Sequence, residues 1–235
     1  MALGDSWHGK KKAITFSYDD GITQDIRLIE IFNKYNLKCT FNLNSGMLGI
    51  KKRATIVGVE VDVNRVNAED VRSIYKGHEI AVHTLNHPNL IEIEDEAEII
   101  RQVEQDRVRL SQIWGQEVVG MAYPMGGNDD RVAEIIRKNT GIKYARTVAS
   151  NHSYGEQKNL LRFNPTAYHI EKDFEQTIDD FLALETDEPQ LLYIWGHSYE
   201  FDMGLISWEK FERLCEKLSG RPDIFYGTNR EVFGI

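Results

Sequence analysis

Cysteine is almost absent, with two in 235 residues, Cys39 and Cys215. That excludes a disulfide scaffold and a thiolate metal cage, which need several cysteines at short spacings. The two lie in an expected strand and an expected helix and read as buried thiols, a disulfide between them being the alternative. Proline is sparse, five in all, and no low-complexity tract, internal repeat or linker divides the chain. No apolar run is long enough to span a bilayer, and residues 1–12 lack the apolar stretch of a signal peptide. The sequence therefore reads as a cytoplasmic protein with no membrane partner. Basic residues are the minority charge, 28 against 37 acidic, for a formal net charge of −9. Such a surface is unsuited to nucleic acid or an anionic membrane.

What is present is an ordinary globular mixture, 41% hydrophobic and 28% charged, on a chain long enough to bury a sizeable core. Apolar strands are expected at 13–18, 39–43, 80–82, 118–123, 144–148, 161–163, 190–195 and 224–226. Between them helical patterns run over 25–35, 94–114, 131–139, 173–184 and 208–218. The first has Ile26, Ile29 and Phe32 on its inner stripe, and the longest has Ala97, Ile100, Val103, Leu110, Ile113 and Trp114. Asn67 reads as the cap of a further helix closed by Gly77, and residues 44–58 as a loop with a solvated basic cluster, Lys51-Lys52-Arg53. Strands alternating with helices predict an α/β fold, a single domain over residues 1–235 with a parallel sheet and crossover helices. Periodicity alone leaves a closed barrel and an open doubly wound sheet equally available.

Two segments carry the chemistry. Ile14-Thr15-Phe16-Ser17-Tyr18 is a buried strand that ends in Asp19-Asp20-Gly21. Adjacent carboxylates held close resist joint ionisation unless a cation or a donor compensates, and a divalent metal is the simplest compensator. His83-Thr84-Leu85-Asn86-His87 follows the strand at 80–82, and histidines four apart converge if the segment turns helically. One carboxylate and two imidazoles make a three-ligand set with open positions, as catalytic metal centres use. His83, His87 and one of the two carboxylates are the expected ligands. The other carboxylate, left unliganded and ionised beside them, is the expected general base.

Ser17-Tyr18-Asp19-Asp20-Gly21 with His83-Thr84-Leu85-Asn86-His87 resembles the polysaccharide deacetylase family, the NodB-homology or carbohydrate esterase family 4 group. The likeness runs from about Ala13 to about His197. It implies a distorted (β/α) barrel of about seven parallel strands. It also implies a metal-dependent hydrolase that removes acetyl groups from a saccharide, N-acetyl before O-acetyl, with Asp20, His83 and His87 as the metal ligands and Asp19 as the general base. Leu191-Leu192-Tyr193-Ile194-Trp195-Gly196-His197 resembles the family's closing Leu-x-His motif, which makes His197 the general acid. Trp195 stands where the family has leucine, as wall of the acetyl pocket or as core packing. Tyr123-Pro124-Met125-Gly126 resembles in part the family's Arg-x-Pro-Tyr-Gly loop, whose backbone amide, at the Met125 position, binds the oxyanion. The arginine is missing, since Ala122 occupies its place, and Arg162 on the expected strand 161–163, or Arg146, is expected to orient the base instead. Nothing corresponds to the family's Asp-Trp segment that tunes the acid histidine.

The expected cofactor is one divalent ion, zinc first, with cobalt or nickel also accepted by such ligands. Expected substrate contacts are Trp195, Tyr123, Pro124 and Arg162, with Asn44, Tyr199 and Glu200 on loops that could line a sugar groove. His78 reads as structural, and His8, His152 and His169 as loop or surface residues. Two other readings stand beside the deacetylase. One is the same metal site hydrolysing a non-sugar amide or cyclic imide. The other is a catalytically inactive carbohydrate-binding protein.

Overall fold

The structure is a computed structural model and describes residues 3–235. Strand β1 (Lys12–Asp19) and helix α1 (Asp25–Lys34) are followed by β2 (Cys39–Leu43), a hairpin of β3 (Arg53–Ile56) and β4 (Val59–Asp62), and a short α2 (Val71–Ile74). Next come β5 (Glu79–Val82), the long α3 (Glu96–Trp114), β6 (Gly120–Ala122), α4 (Asp130–Asn139), β7 (Tyr144–Arg146) and β8 (Ala167–Tyr168). The chain ends with α5 (Phe174–Ala183), β9 (Gln190–Gly196), α6 (Tyr199–Asp202), α7 (Trp208–Leu218), β10 (Ile224–Tyr226) and α8 (Asn229–Val232).

Seven strands run in the order β7-β6-β5-β2-β1-β9-β8, and β10 pairs with the start of β1. Every neighbouring pair in this sheet is parallel. The sheet curls because residues 163–169 bond to both margins. Phe163 N–H donates to Ala145 O at 2.9 Å, while Thr166 N–H reaches Tyr193 O at 2.8 Å and His169 N–H reaches Trp195 O at 3.0 Å. The result is the distorted barrel that the motifs imply.

Strand β1 is buried along its whole length, yet its two faces differ, since successive side chains point oppositely. Ile14, Phe16 and Tyr18 pack outward against the helices, in a core with Phe32, Phe41, Tyr75 and Phe211. Thr15, Ser17 and Asp19 point into the barrel, where Thr15 bonds Asn229 and Ser17 bonds Asn42. The alternation thus delivers Asp19 to the carboxyl end of the barrel interior, where such folds place their chemistry.

Several expectations are corrected. Residues 53–62 form an antiparallel hairpin rather than loop; Val59-Glu60-Val61-Asp62 alternates apolar and polar residues as a half-buried strand does, a signal that the loop reading passes over. Leu160–Arg162 is a 3-10 turn instead of a strand, and only Phe163 bridges to β7. Ile26 is exposed, and Leu28, Ile29, Ile31 and Phe32 form the inner face of α1. Asn67 does not cap through its oxygen; its amide donates to Asp70 at 3.0 Å. The inner face of α3 is Ile99, Gln102, Val103, Asp106 and Leu110. Hydropathy places Gln102 and Asp106 outside, but both are drawn in to bond the loop that carries His83. Both cysteines are buried and free, which closes the disulfide alternative. Among the described residues no helix is long and apolar enough to cross a membrane.

Candidate active site

The Asp19-Asp20-Gly21 turn brings both carboxylates to one place. Asp20 has φ 86 and Gly21 φ 62, and a Cβ on Gly21 would lie 2.8 Å from Leu43, so glycine is required there. Asp19 is buried and bound on all sides. Both its oxygens accept from Arg146, and Oδ1 also accepts from Asn42 Nδ2 at 2.8 Å. Burial pushes the Asp19 carboxyl up, but Arg146, His83 and His197 more than reverse this and hold it below the usual carboxylate range. Arg146 is itself fully buried and lies 4.5 Å over the ring of Trp195, on which Tyr168 stacks at 4.2 Å.

Asp20 is bound differently. His87 Nε2 lies 3.5 Å and His83 Nε2 3.9 Å from its Oδ1, and no hydrogen-bond donor is aimed at that buried atom. Burial raises the Asp20 carboxyl, and Arg65 with three histidines brings it net below its ordinary value. The segment 83–87 does not turn helically as expected. Thr84 (φ 65) and His87 (φ 60) are left-handed, and the Thr84 hydroxyl accepts from His87 N–H at 3.1 Å. The two imidazoles converge through this tight turn, 4.8 Å apart between centroids. His83 Nδ1–H donates to Ala122 O at 2.9 Å, which presents Nε2 as a lone pair. Burial carries the His83 imidazole down to about 4, so it is neutral and able to ligate at pH 7.

This set fits a divalent cation. Two ligand atoms on one tetrahedral ion stand ~3.4 Å apart, close to the separations found, and the ligand atoms of Asp20, His83 and His87 all lie within 4.8 Å of one another. Asp20 Oδ1 faces both imidazoles, with the Arg65 guanidinium 2.9 Å away as its ion-pair partner.

His197 enters from the end of β9 with Nε2 3.9 Å from Asp19 Oδ2. Its Nδ1 is 3.2 Å from Glu200 Oε1, and its backbone N–H donates to Glu200 Oε2 at 2.9 Å. Glu200 also accepts from Tyr168 and lies 2.6 Å from His169 Nε2, whose Nδ1 meets the Tyr18 hydroxyl at 2.8 Å. Burial pushes the Glu200 carboxyl up to about 8. His197 is lowered by burial, against the pull of Asp19 and Asp20.

Other expected contacts are placed elsewhere. Arg162 does not approach Asp19; its guanidinium binds Asn128 at 2.8 Å and Asp130 at 2.5 Å, because the 3-10 turn carries it outward. Tyr123 and Pro124 are buried, and the Tyr123 hydroxyl donates to Leu161 O. Trp195 is 5% exposed and covers Arg146, leaving it little surface as a pocket wall. Asn44 braces the carbonyls of His83 and Thr84. Tyr199 stays near the centre, 5.0 Å from the His197 ring, and Met125 is exposed with φ 56. His169 is buried rather than superficial. Arg65 and Asp106 were invisible as partners in sequence, whereas Glu200, at i+3 from His197, is readable as its partner from the spacing alone.

The family model for polysaccharide deacetylase matches residues 8–145, more than half of the chain. No curated protein matches significantly. The Xyl-CE4 domain of a multidomain xylanase from the hindgut metagenome of Trinervitermes trinervoides is 16% identical, with TM-score 0.60, covering 95% of this chain and 90% of that one. A CE4 family pseudoenzyme from Bacillus anthracis is also 16% identical, TM-score 0.56, covering 96% and 66%. A polysaccharide deacetylase from Bacillus cereus is 18% identical, TM-score 0.51, over 63% of this chain. The match spans 44% of the Bacillus cereus chain. At these identities the likeness is one of fold.

Proposed function

Because the chain belongs to the polysaccharide deacetylase family, we propose that it is a metal-dependent hydrolase removing acetyl groups from a saccharide, N-acetyl before O-acetyl. The observation that carries this is the division between the two adjacent carboxylates. Asp20 turns its buried Oδ1 to both imidazoles and is paired with Arg65, while Asp19 is clamped by Arg146 and left without a place in the triad.

Asp20, His83 and His87 would hold the ion, zinc first and cobalt or nickel also possible for such ligands. A cation there supplies Lewis-acid polarisation of the acetyl oxygen and of water. Asp19 accepts the proton of the water that adds to the acetyl carbon. The backbone amide at Met125 donates to the oxygen on which charge develops. His197 gives a proton from Nε2 to the departing nitrogen as the C–N bond breaks, leaving acetate and a free amine.

The His197–Glu200 pair accounts for the supply of that proton. Burial depresses the imidazole and elevates the carboxyl, so near pH 7 the cluster stores a proton on Glu200 and can pass it to His197 as charge develops. Arg146, in place of the arginine missing at Ala122, keeps Asp19 ionised and oriented.

The test is acetate release from acetylated chito- and xylo-oligosaccharides, with Asp19→Asn as control. Loss of turnover by about 100-fold or more with metal content retained is the expected outcome. Acetate from neither protein, with oligosaccharide still bound, would favour the carbohydrate-binding reading. Release of amine or acid only from non-sugar amides would favour the imidase-like one.

A further inference from the structure

Beside the triad sits a cation that ligand chemistry does not call for. Arg65 follows the β3–β4 hairpin and is locked against the acidic turn. Its backbone N–H donates to Ile50 O at 2.8 Å, that of Val66 to Gly21 O at 3.0 Å, and Ile22 bridges to Arg65. The guanidinium donates to the backbone carbonyl of Asp20 and lies 2.9 Å from Asp20 Oδ1, with one-tenth of the side chain exposed. No donor hydrogen points along a lone pair of that oxygen. Arg65 therefore neutralises Asp20 at the same oxygen that His83 and His87 face.

We infer that Arg65 is an electrostatic governor of the site, holding its affinity for divalent cations below what Asp20, His83 and His87 would give alone. This rests on the metal-site reading above. Two consequences of a fixed positive charge follow. It drains the negative potential that draws a second cation, since like charges repel at short range in a partly desolvated site. It also stabilises the metal-free protein, where Asp19 and Asp20 are neighbours with one buried arginine each. The balance thus moves toward the metal-free state from both sides, and the ion becomes exchangeable.

The experiment is calorimetric titration of metal-free protein with Zn2+ and Co2+, alongside thermal melts with and without metal. Arg65→Ala is expected to bind the ion about tenfold more tightly or better, to melt lower without metal, and to gain more in melting temperature on loading than the parent does. Arg65→Lys, which keeps the charge, is expected to stay near the parent. Equal or weaker binding by Arg65→Ala, with the lysine variant folded and unchanged, would overturn the inference. If no variant and no parent protein binds either ion, it is the metal-site reading that fails.

Discussion

At the residue scale the site turns on which charge faces which. Asp19 and Asp20 are adjacent in sequence but held by different arginines, Arg146 and Arg65, from opposite parts of the chain. Removing the Arg146 guanidinium leaves a buried carboxylate unpaired, so Arg146→Ala is expected to lower kcat by about 100-fold and to cost several kcal/mol, roughly 3–5, in stability. Arg162→Ala breaks a hydrogen bond to Asn128 and a pair with Asp130, which is 91% exposed, all away from Asp19. It should change kcat less than about twofold and stability by less than about 1 kcal/mol. Steady-state kinetics and urea unfolding of the two variants decide between them, and an equal loss in both would return Arg162 to the site.

At the scale of elements, what could be read in advance was what periodicity encodes. Strand β2 and helix α7 have the expected bounds, Cys39–Leu43 and Trp208–Leu218, since apolar residues at every second position and a strong apolar stripe leave no choice. Apposition of Asp20, His83 and His87 was legible because each lies at a strand's carboxyl end, and parallel strands bring those ends together. The inward Gln102 and Asp106 were not. Their polarity serves the loops after β2 and β5, where Ser45 N–H donates to Asp106 at 2.7 Å and Asn86 N–H to Gln102 at 3.2 Å. Long-range pairing of that kind leaves no periodic trace. The end of β9 makes a prediction of its own. A Cβ on Gly196 would stand 2.6 Å from the His169 ring, so Gly196→Ala must displace the imidazole from Glu200. The variant is expected to lose about 1–3 kcal/mol together with most turnover, while Asp20, His83 and His87 still bind metal; undiminished kcat would show that His169 has no part in holding Glu200.

Over the whole molecule, buried carboxyls set how stability responds to acidity. Asp25 lies beneath the site, accepting from Tyr75 at 2.8 Å and Ser198 at 2.5 Å, and burial pushes its carboxyl up to about 7. Asp106 is raised by burial to about 7 as well. An acid whose folded value exceeds its unfolded one, ~3.9 for Asp, binds its proton more tightly when folded. Its contribution is complete below the unfolded value and is lost as pH climbs toward 7, at up to about 1.4 kcal/mol per pH unit. Depressed histidines such as His83, at about 4, act in the opposite sense below about pH 6.5, so the readout is a difference: in urea unfolding between pH 4 and 7 Asp25→Asn should gain stability relative to the parent as pH rises, and an unaltered slope would mean that Asp25 titrates normally in the fold.

The stretch 163–169 acts as the seam of a rolled cloth. It belongs to no long strand, yet its hydrogen bonds are what join the margin bearing Arg146 to the margin bearing Trp195 and Glu200's partners. Were it to part, the helices and most of the sheet would remain, but Asp19 would lose its arginine and Glu200 its partners. The proposed acetyl hydrolysis should therefore vanish well before the fold does.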